Sequence, residues 1–423
     1  MSTEAQKQTR SFSIPRPESL KKLGPNWDLG LLMTVVALLG FGTLMLYSAS
    51  AVMAAQKLGD SMYLVKTQLI RSGLGLILMF VALKIDYRWW RRLIYPMIAV
   101  SVILLILVLI PGIGVVQNGS RRWFSMAGLS FQPAEIVKIV TVIYLAYSVS
   151  KKGEAMKKFS IGFVPHLMMS GLMVALLMRQ PDFGSSVLIL TVTLIMLFCS
   201  GAKIIYMALM VPIAGAAGFV AITGSAYRLK RVMAFLDPWK YQTDEGYQIV
   251  ESLIAIGSGK ITGVGLGNGK GKFGYVPELW NDFIGTIIAE ELGLIGIVAL
   301  VGLILILLWR GFSISWNATD KFGVFLAFGL TTILGIQAAA NLCVVTGLLP
   351  NKGITLPFVS FGGSSVIMSL FAIGILLNIS RNQPDHWEEN RDKRSDEKEK
   401  RKWEKKRAGI VKRRRDLTSR KWS

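Results

Sequence analysis

The sequence predicts an all-α, polytopic membrane protein with about ten transmembrane helices and a large extracytoplasmic loop between the seventh and the eighth. Three observations carry that expectation. Of 423 residues, 52% are hydrophobic and only 17% charged, against about 25% charged in ordinary soluble domains, and the mean hydropathy is +0.48. Nearly uncharged runs recur along the chain, and roughly 20 apolar residues suffice to cross a bilayer. Lys and Arg gather in alternate connections between those runs.

The runs fall at about 29–48, 67–84, 93–111, 134–149, 162–178, 184–200, 203–223, 282–308, 322–346 and 364–380. Residues 1–28 are polar and lack a small-residue cleavage site, so they read as a cytoplasmic tail ahead of an uncleaved first anchor. Residues 29–380 then form one membrane core, with the long loop at about 224–281, and 381–423 a basic cytoplasmic tail. With the N-terminus inside, "KIDYRWWRR" (Lys84 to Arg92), "KKGEAMKK" (Lys151 to Lys158) and the tail all fall on the cytoplasmic side, as the positive-inside rule requires.

The formal net charge is +22, and much of the excess lies in that tail, where Trp387, Trp403 and Trp422 interleave with Lys and Arg. The tail reads either as a solvated segment or as a contact for anionic lipid headgroups; nucleic acid is not expected as a partner. Cys199 and Cys343 both lie inside apolar runs, so no disulfide framework is implied. His166 and His386 are the only histidines and show no metal-ligand spacing.

Three irregular segments interrupt the runs and share one side of the membrane: Gly112 to Glu135, the stretch 224–281, and Gly347 to Ser365. Irregular backbone near membrane depth is tolerated where protein buries it or water wets it, so three such pieces on one face predict a cavity opening outward. Charges at its edge are functional candidates. Asp282, in "PELWNDF", either caps the following helix or serves as a general base at the mouth of the cavity. Glu290 and Glu291 lie two turns further along and call for a cation, a proton or a substrate as partner. Glu135 and Lys138 are three residues apart on one helix face, in position to pair. Arg121, Arg122, Lys138 and Lys352 together would suit a lipid phosphate or diphosphate. Arg179 and Asp182 are explained by local pairing. The letters Gly269-x-Gly271-x-x-Gly274 spell a dinucleotide fingerprint, but no strand precedes them and no helix opens on them, so they read as a flexible loop whose amides are free to touch a substrate.

Taken together, "YQIVESLIAIGSGKITGVGLGNGKGKFGYVPELWNDFIGTIIAEELGLIG" (Tyr247 to Gly296), "RRWFSMAGLSFQPAEIVK", "RQPDFGSS" and "LLPNKGITLPFVSFGGSS" resemble the signatures of the SEDS family, FtsW, RodA and SpoVE, in the right order across residues 29–381. "GVGLGNGKGKFGYVPE" and "PNKGITLPFVS" look closer to the division protein FtsW or its sporulation relative SpoVE. The resemblance implies a peptidoglycan glycosyltransferase that polymerises lipid II outside the cytoplasmic membrane, in division, by an inverting mechanism. It places the family's essential acid on Asp282, and its substrate-binding residues on Arg122, Gln132, Glu135, Lys138, Asp182, Glu290, Lys352 and Ser364. One departure is plain: where the family often has His-Thr before the acid, this chain has Trp280 and Asn281. No cofactor is implied beyond a divalent cation, Mg or Mn. The implied partners are lipid II, a class B penicillin-binding protein transpeptidase and other divisome proteins. A lipid II flippase and a non-enzymatic division scaffold are the competing readings.

Overall fold

The computed structural model describes residues 27–382, apart from 118, 127, 128, 225, 245 and 352. Both tails, and with them the expected lipid contact of the basic tail, lie outside the described residues, as does Lys352. The helices are α1 Leu29–Leu58, α2 Tyr63–Lys84, α3 Arg88–Leu107, α4 Pro133–Lys152, α5 Val164–Arg179, α6 Phe183–Cys199, α7 Ile204–Thr223, α8 Ala226–Leu236, α9 Tyr247–Gly259, α10 Ile284–Trp316, α11 Lys321–Val345 and α12 Gly363–Arg381. Each expected apolar run has its helix. Among the described residues, eight helical segments are long and apolar enough to cross a membrane, and α6, at 17 residues, is apolar but shorter.

Local chemistry sets the ends of these helices. Asp28, Asp182 and Asp320 cap α1, α6 and α11 by accepting from Leu31, Ser185 and Gly323 amides at 2.9, 3.1 and 2.7 Å. Pro133 opens α4, where its missing N–H costs nothing. α4 and α12 are buried along most of their length. α2 lies close against α12, with Gly374 facing the Met79 backbone, the kind of close approach small residues permit within membranes. Met33, Val36, Val100, Ile103, Leu294, Val298 and Leu305 face outward, as lipid-facing side chains do.

One end of the bundle collects the start of α1, the α2–α3 corner, the start of α11 and the end of α12. The Asp28 amide donates to Ser380 Oγ at 3.1 Å, the Tyr87 amide to Asn378 Oδ1 at 2.8 Å, and Arg88 pairs with Asp320 at 3.3 Å. The opposite end carries the three irregular segments. The first, expected as a loop, contains a small antiparallel sheet of β1 Val115–Gln117, β2 Ser120–Met126 and β3 Leu129–Phe131. The second, also read as a loop, contains α8 and α9. Ser252 of α9 bonds Thr286 Oγ1 at 2.6 Å and donates to the Val345 carbonyl at 3.0 Å, locking that helix onto α10 and α11.

α10 is broken. Gly293 has φ 64° and ψ −158°, and the segment after α9 fills the gap. Val264 and Gly265 amides donate to the Glu290 and Glu291 carbonyls at 3.0 and 3.1 Å, while Leu294 and Ile295 amides donate to the Lys260 and Ile261 carbonyls at 3.0 and 3.2 Å. Groups freed by the break are thus satisfied within the protein, as a non-aqueous setting demands.

Candidate functional site

Asp282 sits just before α10, outside the spanning helix. It does not cap it: Phe283 holds the cap position, with no side-chain bond there. The side chain is 6% exposed, so the carboxylate expected at a wet rim is largely enclosed. Its Oδ1 is buried without a hydrogen-bond partner. Burial pushes the carboxyl up to about 7; Glu278 adds to the rise, and Arg231 of α8 opposes it.

The backbone on either side of Asp282 is held firmly. Asn341 of α11 donates to the Asp282 carbonyl at 2.8 Å and to the Ile354 carbonyl at 2.7 Å. The Phe361 amide donates to the Trp280 carbonyl at 2.9 Å. The 354–363 segment therefore braces the acid from two sides. α1 makes room for it at Gly42, where a Cβ would lie 2.5 Å from Val359 Cα.

One turn before Asn341, Gln337 links the same segment to the α4 pair. Lys138 Nζ lies 2.8 Å from Glu135 and donates to Gln337 Oε1 at 2.9 Å; Gln337 Nε2 donates onward to the Thr355 carbonyl at 3.1 Å and Ser365 Oγ at 3.2 Å. The pair foreseen from spacing forms, deeply buried. Gln132 completes this wall. Its amide donates to Ser364 Oγ at 2.8 Å and its Nε2 to Asp182 Oδ2 at 3.0 Å. Asp182 draws its other bonds from Ser185, not from Arg179, so the local ion pair expected there does not form. Arg122 lies on β2 and its Nε donates to Ser120 Oγ at 2.6 Å.

Of the residues singled out in the sequence, the structure joins Gln132, Glu135, Lys138, Asp182 and Ser364 in one polar wall beside the segment that braces Asp282. Glu290 stands apart. Its oxygens accept from the Lys270 and Gly271 amides at 2.7 and 3.2 Å. Glu291 accepts from Ser48 Oγ at 2.6 Å, the Gly269 amide at 3.2 Å and Lys272 Nζ at 3.1 Å. Lys272 also donates to the Gly267 carbonyl. The glycine-rich stretch is thus no free substrate cradle: its amides wrap two glutamates of the protein's own. Among the described residues, no three His, Cys, Asp or Glu cluster closely enough to hold a metal ion.

Sequence reasoning missed Gln337, Asn341 and Arg71. The first two are amides in an apolar helix, with no charge to draw attention. Arg71 gave a signal that went unread, a cation inside the apolar run 67–84.

A family profile described as "Cell cycle protein", for FtsW, RodA and SpoVE, matches residues 29–385. The chain belongs to that family. A probable peptidoglycan glycosyltransferase FtsW of Geobacter metallireducens is 46% identical over 354 residues, covering 84% of this chain and 94% of the relative. Stage V sporulation protein E of Bacillus subtilis is 42% identical over 362 residues, covering 85% and 98%. Two solved structures share the fold at 28% identity. One, described as structural coordination of polymerization and crosslinking by a peptidoglycan synthase complex, has a TM-score of 0.72 and covers 86% of this chain and 100% of that one. The other, the rod shape determining protein RodA of Thermus thermophilus, has a TM-score of 0.63 and covers 84% and 97%.

Proposed function

We propose that this family member is a peptidoglycan glycosyltransferase of the division type, polymerising lipid II at the outer face of the cytoplasmic membrane with Asp282 as general base. The names of its FtsW relatives, probable peptidoglycan glycosyltransferases, support the reaction class. The observation that supports the base is the Asp282 Oδ1, buried and unpartnered, on a backbone that the Asn341 and Phe361 bonds hold at the Asp282 and Trp280 carbonyls. An orphaned buried acceptor is costly, and a substrate hydroxyl donating to it relieves that cost. A carboxyl titrating near neutrality also suits a base working near neutral pH.

In this mechanism Asp282 takes the proton of the acceptor GlcNAc 4-hydroxyl as that oxygen attacks the anomeric carbon of the growing chain's MurNAc. The bond to undecaprenyl diphosphate breaks and the configuration inverts. Arg122, Lys138 and Lys352 supply positive charge for the leaving diphosphate. Glu135 and Gln337 hold Lys138, and Gln132 carries Asp182 and Ser364 into the same wall. A divalent cation would lend the diphosphate further charge neutralisation.

The first and last described residues, Trp27 and Asn382, flank the Asp28–Ser380 contact at the end of the bundle opposite Asp282, in keeping with cytoplasmic termini and an outward site. A class B penicillin-binding protein transpeptidase is the proposed partner, in line with the synthase complex among the structural neighbours. The test is polymerisation of purified lipid II by wild type and Asp282→Asn. Glycan from wild type alone supports the assignment; equal polymer from both ends it. Lipid II movement across vesicles without polymer would favour the flippase.

A further inference from the structure

Arg71, on α2, is 7% exposed, and its surroundings do not balance its charge. Its Nη2 donates to Ser130 Oγ at 3.2 Å, its guanidinium carbon stands 5.0 Å from the centre of the Phe361 ring, and its Nε is buried with no partner. Among the described residues, no carboxylate comes within 4 Å of it. The guanidinium rests instead against the start of α12, where a Cβ on Gly363 would lie 2.7 Å from Nε. That helix start is itself electropositive. Gly362 at its cap supplies no side-chain acceptor; the Val366 amide donates to the Gly362 carbonyl at 2.9 Å, and the Gly363, Ser364 and Ser365 amides find no backbone acceptor among the described residues. A buried cation set against the positive end of a 19-residue helix is unfavourable on its own and favourable around an anion.

We propose that Arg71 and the first turn of α12 form an anion site for a lipid phosphate, either the diphosphate of a polyprenyl-linked sugar or the headgroup of an anionic phospholipid. The diphosphate source rests on the glycosyltransferase reading given above; the phospholipid source does not. Placement favours the diphosphate. Phe361, under the guanidinium, bonds Trp280 two residues before Asp282, and Ser364, in that first turn, bonds Gln132. A phosphate held there sits against the segment that braces the base.

The test uses the full chain in phosphatidylcholine nanodiscs, as wild type, Arg71→Gln, Arg71→Lys and Gly363→Ala, with thermal unfolding to confirm folding. Binding of a polyprenyl diphosphate is measured with the matching polyprenol as a phosphate-free control. Arg71→Gln weakens diphosphate binding by about 10- to 100-fold, the range of a lost charge-assisted contact. Arg71→Lys weakens it less, and polyprenol binding stays unchanged. Gly363→Ala keeps the charge but pushes the guanidinium aside, and it weakens binding in the same direction; it carries the test if Arg71→Gln does not fold. In a second arm, phosphatidylglycerol replaces part of the bilayer. Arg71-dependent retention of phosphatidylglycerol without diphosphate binding supports the headgroup source. Unchanged affinity for both lipids in folded Arg71→Gln and Gly363→Ala overturns the site. The two readings separate in turnover. Arg71→Gln raises KM for lipid II more than it lowers kcat, whereas Asp282→Asn abolishes turnover. Arg71-dependent diphosphate binding by a wild type that makes no glycan sustains the site and removes the enzyme.

Discussion

Replacing Asp282 by Asn keeps the shape of the side chain and removes its charge, and the two pH responses of that change run in opposite directions. Enclosure raises the carboxyl from 3.8 to about 7. At about 1.4 kcal/mol per unit, holding the ionised form in the fold costs up to about 4 kcal/mol. The folded state binds the proton more tightly than the unfolded chain, so this stability is fully present below pH 3.8 and is lost as pH rises toward about 7. Asp282→Asn is therefore expected to unfold at a higher temperature than wild type at pH 8, with the gap closing as pH falls toward 4. Activity behaves in the opposite way. Wild-type kcat/KM for lipid II rises with pH, with a midpoint near 7, because only the carboxylate accepts a proton. The variant makes no glycan at any pH. Thermal unfolding across pH 4–8, run beside a continuous polymerisation assay, reads both. A flat wild-type profile between pH 5.5 and 8.5, or a variant no more stable than wild type at pH 8, refutes the reasoning.

Other expectations concern the frame around the acid. Lys138→Met strands Glu135 and Gln337 and should destabilise by about 3 kcal/mol, the cost of breaking a buried pair; chemical unfolding in detergent reads it, with Glu135→Gln/Lys138→Met partly restoring stability. Gly263 has φ +79° and faces the Glu291 backbone, whereas Gly267, φ +81°, has open space around it. Gly267→Ala should then cost about 1 kcal/mol of left-handed strain and Gly263→Ala clearly more, measured as the difference in unfolding midpoint. Gly42→Ala presses on Val359, while Gly40 meets nothing within 4 Å. The first should lower polymerisation and the second leave it unchanged.

Repetition and chemistry together made much of the fold legible. Apolar runs need no partner to be recognised, so the helices flanking α8 and α9 were placed from the sequence. α9 escaped because "YQIVESLIAIGSG" is short and glycine-bearing, and its helix rests on Ser252 reaching Thr286 and Val345. The strand "SRRWFSM" escaped because its partners are only three residues each. In the site, Glu135 and Lys138 could be paired by counting, being on one turn. Asp182 could not, because its partner Gln132 lies 50 residues away in sequence. Glu290 and Glu291 were visible as a problem, but their solution, amides from a glycine-rich stretch some 20 residues earlier, depends on the chain folding back.

The break at Gly293 has a consequence for how the chain enters the bilayer. Residues 284–292 as a helix measure about 13 Å at 1.5 Å per residue, and residues 294–316 about 34 Å, against roughly 30 Å of hydrocarbon. The insertion machinery can accept the second half as a complete crossing without ever moving Glu290 and Glu291 into oil. The acidic half is then put in place afterwards, by docking under α9, which makes assembly of this corner a late event that follows membrane integration.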